Sequence, residues 1–232
     1  MRDFRRIVLA AVAAGIITGI VVTLLQSFTT VPLILQAETY ETERNAQHVH
    51  DDSDHANSGW EPDPGLERTA YSALTAILAA IGYGLLLGGV LHLTHRSGLR
   101  AGVAVGAIGF AVFQLAPALG LPPEPPGMPA AALSLRQLWW ISTVLLSAGA
   151  FTCWYAALRR RSLLLFLAGV VLATLPHLVG APHAPMQRSA VPPALVHDFA
   201  TAALLVGAVF WLTLGAASGA LSKVMEGVRI AR

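Results

Sequence analysis

The run IVLAAVAAGIITGIVVTLL fills residues 7–25 without one charged side chain. As a helix rising about 1.5 Å per residue it would match the ~30 Å hydrocarbon core of a bilayer. Arg2, Arg5 and Arg6 precede it, as in a signal peptide, but the run is longer than a usual signal core and no small-residue cleavage site follows. It is therefore expected to stay as a first membrane helix. Ala11, Gly15 and Gly19 recur four residues apart, which places small residues on one face and lets a second helix approach closely. Pro32 is expected to end or kink this helix.

Five further apolar runs extend the pattern: 71–93, 101–119, the stretch from RQLWW to about 158, 162–179, and about 196–217. With 55% hydrophobic residues, 12% charged residues and a mean hydropathy of +0.61, the chain reads as one integral membrane domain over residues 1–232. The expected fold class is all-α, a polytopic membrane bundle of six helices. Five is the alternative count, because 162–179 is short and bent by Pro176. Gly84 with Gly88, and Gly102 with Gly106 and Gly109, repeat the small-residue stripe. Trp139 and Trp140 fall where an interfacial aromatic belt would place them. Cys153 stands alone, so no internal disulfide can form.

Two hydrophilic stretches interrupt the spans, a polar insertion at 36–69 and the proline-rich 120–137. Six spans put eleven of the 15 basic residues on the side of the two termini and leave Arg44, Arg68, Arg136 and Arg188 on the other. By the positive-inside rule both termini are cytoplasmic and both hydrophilic stretches face outward. That outer side then carries eleven of the 13 acids and six of the eight histidines. Such a face concentrates cations rather than nucleic acid.

Metal-ligand chemistry is densest in HVHDDSDH, where His48, His50 and His55 surround Asp51, Asp52 and Asp54. Neutral imidazole suits divalent first-row metals and carboxylates add oxygen ligands. Two readings stand: an outer metal-collecting loop, or a solvated acidic loop in which histidines fall. His177, His183, His197 and Asp198 flank the last two spans, where a short hairpin would gather them into an entry site for a divalent ion. The alternative is that these are interfacial residues satisfied by backbone or water. His92 and His95, three apart, would share a helix face. No acid lies well inside a span, no GxxxxGK[ST] phosphate loop occurs, and no facing mid-membrane histidines could hold a haem. No catalytic constellation or cofactor site is expected; an enzyme using histidine-bound metal ranks behind transport and behind a non-transporting metal-sensing or assembly subunit.

Several unusual strings occur in order: PLILQAETYE, WEPDPGLER, APALGLPPEPPG, RQLWW, PHLVGAP and VPPALVHDF. With them the chain resembles the CbtA family, probable cobalt transporter subunits of bacteria. The resemblance implies a multi-pass protein of the bacterial cytoplasmic membrane, embedded in the lipid bilayer. Its transported substrate would be cobalt(II), destined for cobalamin biosynthesis, with nickel or zinc as alternatives that ligand chemistry alone does not separate. It also implies a partner, a small single-span, histidine-rich CbtB-type membrane subunit. Glu38, Glu41, Glu124, Arg136 with Gln137, and His177 match strings of the family. The residue chemistry leaves Glu38 and Glu41 as helix caps or loop solvation, and Arg136 as a partner of Glu124.

Overall fold

The computed structural model describes residues 2–48, 62–63, 65–184 and 189–230. Among these, all regular structure is helical: α1 (Arg2–Phe28), α2 (Thr30–His48), α3 (Leu66–Leu93), α4 (Leu99–Phe110), a π-helical turn (Ala111–Leu115), α5 (Ala116–Ala118), α6 (Leu133–Arg160), α7 (Leu163–Val179) and α8 (Pro193–Ile230). Five stretches are long and apolar enough to cross a membrane: Phe4–Phe28, Leu66–Leu93, Leu99–Ala118, Leu133–Arg160 and Pro193–Met225. The remaining run forms α7, which at 17 residues is at the short limit for a span.

Helix α7 nevertheless packs along α6 from Trp154 to Trp139. Trp154 lies against Gly169, Leu172 beside Gly149, and the ring of His177 sits edge-on to Trp139 at 6.0 Å. Two faces of the molecule result. Arg6 and Ile7 near the start of α1, Arg96 after α3, and Ser222 and Met225 of α8 surround one small cavity, so the two chain ends share a face, here the terminal face. Opposite is the loop face, where a Cβ added to Gly120 would sit 3.1 Å from Ala181 Cβ, joining the proline-rich segment to the exit of α7.

The helices pair through their small-residue stripes. A Cβ on Gly15 or Gly19 would come within 2.8 Å of the Ile81 nitrogen or the Ile77 Cα, so α1 and α3 touch backbone to backbone. Between α4 and α8 the approach is closer still: a Cβ on Gly102 would lie 2.9 Å from Gly219 Cα, and one on Gly215 would lie 2.8 Å from Gly106 Cα. Gly98 N–H also donates to Gly219 O at 2.8 Å. Ala14, Ala80, Leu87, Trp211 and Leu214 close the centre, where α1, α3 and α8 meet. The α6–α7 hairpin stands to one side, its main attachments being to the π turn and α5.

Three expectations change. The break after α1 falls at Thr29, whose N–H bonds Gln26 O at 3.2 Å, and Pro32 lies in the first turn of α2. Its missing N–H is harmless there, because the first four helix donors have no intrahelical acceptor. The insertion 36–69 is not wholly loop, since α2 continues to His48. Leu33, Ala37 and Tyr40 form a stripe at helical spacing that packs on Val191 and Leu195, enough to hold a polar helix in place. Finally, α6 begins at Leu133, so Trp139 lies in its second turn, 8% exposed against Gly120, rather than in an interfacial belt.

Candidate functional site

The polar groups that the apolar helices leave together lie around a cavity of about 740 Å³ on the loop face, bounded by the π turn, α5, the proline-rich segment and the start of α6. Pro117 explains why the helix widens here. It has no N–H, and its ring crowds the carbonyl four residues earlier. The chain turns out into a π turn, in which Ala116 N–H reaches back five residues to Ala111 O. Such turns redirect side chains and recur at functional sites.

Gln114 sits in that turn and lines the cavity. Its Nε2 donates to Ala203 O of α8 at 3.1 Å, which fixes the amide orientation because only nitrogen can donate to a carbonyl. Gly207 makes the room: a Cβ there would collide with the Gln114 amide. Both amide atoms lie against Gly207, so the Gln114 side chain faces α8 at the edge of the cavity. Phe113, the preceding residue, stacks on Trp211 at 5.2 Å and meets Trp140 at 6.4 Å, so aromatic packing holds the turn on both sides.

Glu124 and Arg136 complete the polar wall with Gln137. The Arg136 guanidinium lies 3.9 Å from Glu124 Oε2, with about a third of each side chain exposed. A carboxylate and a side-chain amide, Glu124 and Gln137, thus offer hard oxygen donors at one wall, with Arg136 as the cation already paired to the carboxylate.

Other sequence candidates lie apart from this cavity. Glu38 of α2 forms a bidentate pair with Arg68 of α3, one limb being 3.2 Å, which ties the two ends of the intervening segment together. Because both groups are more than a third exposed, Glu38→Gln is expected to lower stability by less than about 1 kcal/mol; thermal unfolding of the purified variant would check this. His177 is half-buried against Trp139, and exposed His183 places Nδ1 2.6 Å from Ala181 O. Exposed His197 lies 3.6 Å from its neighbour Asp198. Among the described residues, no three His, Cys, Asp or Glu side chains are placed together to hold a metal. His48 ends α2 and Glu41 lies on it, while His50, Asp51, Asp52, Asp54 and His55 lie outside the described residues. His92 and His95 share no helix face, since α3 ends between them and His95 takes a left-handed backbone, φ 53°.

Gly207 is a functional candidate that sequence reasoning missed; Gln137 was singled out only as part of the RQLWW string, and Trp140 only as an interfacial aromatic. The signal for Gln114 was present, as the single strongly polar residue of its run, and Pro117 three positions on could have pointed to the widened turn. Comparison with curated proteins and with solved structures finds no match. The family model described as probable cobalt transporter subunit (CbtA) matches residues 4–223. With five helices long and apolar enough to cross a bilayer and a family match over nearly its whole length, the chain is a multi-pass membrane protein that belongs to the CbtA family of probable cobalt transporter subunits.

Proposed function

We propose that this chain is the membrane subunit through which a bacterium takes up a divalent transition-metal ion across its cytoplasmic membrane, cobalt(II) above nickel or zinc, for cobalamin biosynthesis. The family match across residues 4–223 is the observation that carries this reading. The basic terminal face, with Arg6, Arg96, Arg100, Arg159, Arg160, Arg161 and Lys223, is then cytoplasmic, and the loop face external. In this orientation the segment from His48 to His55 collects the ion, with Asp51, Asp52 and Asp54 supplying negative charge. His177, His183, His197 and Asp198, on the same face but apart from the cavity, are further ligands that the ion meets singly on its way in. The cavity at Gln114, Glu124 and Gln137 receives the ion, and Arg136 returns to Glu124 when it leaves.

Metal affinity rises from cobalt to nickel for a given site, so preference for cobalt requires geometry or a partner. A small single-span, histidine-rich CbtB-type subunit fills that role here. The rival reading is a sensing or assembly subunit without flux, which the lack of a three-ligand cluster among the described residues favours. Radioactive cobalt accumulation separates the two in cells lacking their own cobalt and nickel importers, expressing the chain with and without the partner. Uptake above the empty vector, competed by nickel more than by zinc, is expected. Joint replacement of His177, His183 and His197 by alanine should reduce it several-fold. Membrane-inserted protein with no uptake under either condition would favour the rival.

A further inference from the structure

The turn between α6 and α7 carries RRRS, Arg159 to Ser162, of which Arg161 and Ser162 line a groove of about 300 Å³ and Arg160 is the neighbour of that lining. Trp154, Leu158, Leu163 and Phe166 make its apolar walls, with Arg161 and Ser162 at one end. Leu158, Leu163 and Phe166 are exposed, and α7 packs on α6 with no comparable contact elsewhere among the described residues. Arg159 is engaged within its own helix: it donates to Tyr155 Oη at 3.1 Å and lies 5.5 Å from that ring. Arg160 and Arg161 make no hydrogen bond or ion pair with another described residue.

Among the described side chains, no acid pairs with them. No acidic residue occurs between Glu124 and Asp198, and those two lie toward the loop face, at the other ends of α6 and α7. The backbone adds an independent observation. Arg161 adopts φ 49°, ψ 41°, a left-handed conformation that, among the described non-glycine residues, only it and His95 show positive φ values. At this position after a helix glycine is the unstrained choice. An arginine there carries a conformational cost that glycine would avoid.

We propose that this groove binds an anionic phospholipid, the headgroup phosphate held by Arg160 and Arg161 and one acyl chain lying along Trp154, Leu158, Leu163 and Phe166. Paired guanidinium groups match phosphate geometry, and basic sites at the ends of membrane helices attract acidic headgroups. Free phosphate would satisfy the arginines and leave the apolar walls uncovered; a zwitterionic lipid would cover the walls and leave the net charge uncompensated. Only the anionic lipid does both.

The purified chain in a neutral detergent would be heated with increasing phosphatidylglycerol, phosphatidylcholine or inorganic phosphate at matched ionic strength. Phosphatidylglycerol is expected to raise the unfolding midpoint by several degrees, and the other two to raise it little. Replacing Arg160 and Arg161 together by glutamine should shift the half-saturating phosphatidylglycerol concentration at least tenfold. Lys223→Gln, on the same face but outside the groove, should leave it unchanged. Arg161→Gly is the sharper variant: it should raise the lipid-free midpoint by relieving the backbone while weakening the lipid response. An undiminished response in Arg161→Gly and in the double variant would overturn the proposal. So would equal loss in Lys223→Gln, or full stabilisation by phosphate or phosphatidylcholine.

Discussion

Gly215→Ala should leave little folded protein. The new Cβ would lie 2.8 Å from Gly106 Cα and 2.9 Å from Gly106 N, and would also meet Gly102 O. All three are backbone atoms, so no rotamer change relieves the clash and α8 must move away from α4. Overpacking commonly costs about 1–3 kcal/mol. This site is expected at or above ~3 kcal/mol, because the Gly98–Gly219 hydrogen bond and the packing of Trp211 on Gly109 are strained by the same movement. Gly102→Ala meets the same surface from the other helix and should behave alike. Gly82→Ala and Gly89→Ala are the controls, since a Cβ at either meets nothing within 4 Å. Both should be neutral or gain up to about 1 kcal/mol from alanine's better helix propensity. Thermal unfolding in detergent, scored with the yield of monodisperse protein, separates the two classes.

The second large effect concerns the cavity. Glu124→Gln removes its carboxylate while keeping size and hydrogen bonding, and cobalt accumulation is expected to fall about tenfold, ~1.4 kcal/mol in the limiting step. Arg136→Gln acts in the opposite sense on binding. With its internal competitor gone, Glu124 should hold a dication more tightly, so the half-saturating cobalt concentration falls by two- to tenfold, a range that allows for solvent screening of a partly exposed pair. Gly207→Ala tests the geometry without touching a polar group, because the Cβ would displace the Gln114 amide from Ala203 O. It should reduce uptake about as much as Gln114→Leu does. Equal uptake in all four variants, with unchanged protein level, would remove the cavity from the path.

The fold was largely legible because its determinants are local. The glycine stripes of α1, α3 and α4 announced close-packed faces, and each is used where the spacing placed it. The partner stripe, Gly215 and Gly219, straddles the end of the last apolar run and was not singled out. Helix α2 was harder, since its sequence is polar and its stability comes from Val191 and Leu195, about 150 residues away. The pairing of Arg136 with Glu124 could be anticipated from two charges at the borders of one loop. The cavity itself could not. It exists because the π turn at Pro117 aims Gln114 toward α8, and because Gly207, more than 90 residues later, lacks a side chain. The proposed gathering of His177, His183 and His197 presumed that neighbours in a hairpin converge; the structure instead directs them to a ring, a backbone carbonyl and solvent.

The central claim is that this chain itself conducts the metal ion. Its most direct test is cobalt influx into proteoliposomes containing only the purified chain, beside vesicles that also hold the partner subunit and vesicles holding Glu124→Gln. Saturable influx above empty vesicles, diminished about tenfold in Glu124→Gln, is the predicted result. Cobalt bound to the protein with no influx, alone or with the partner, would contradict it.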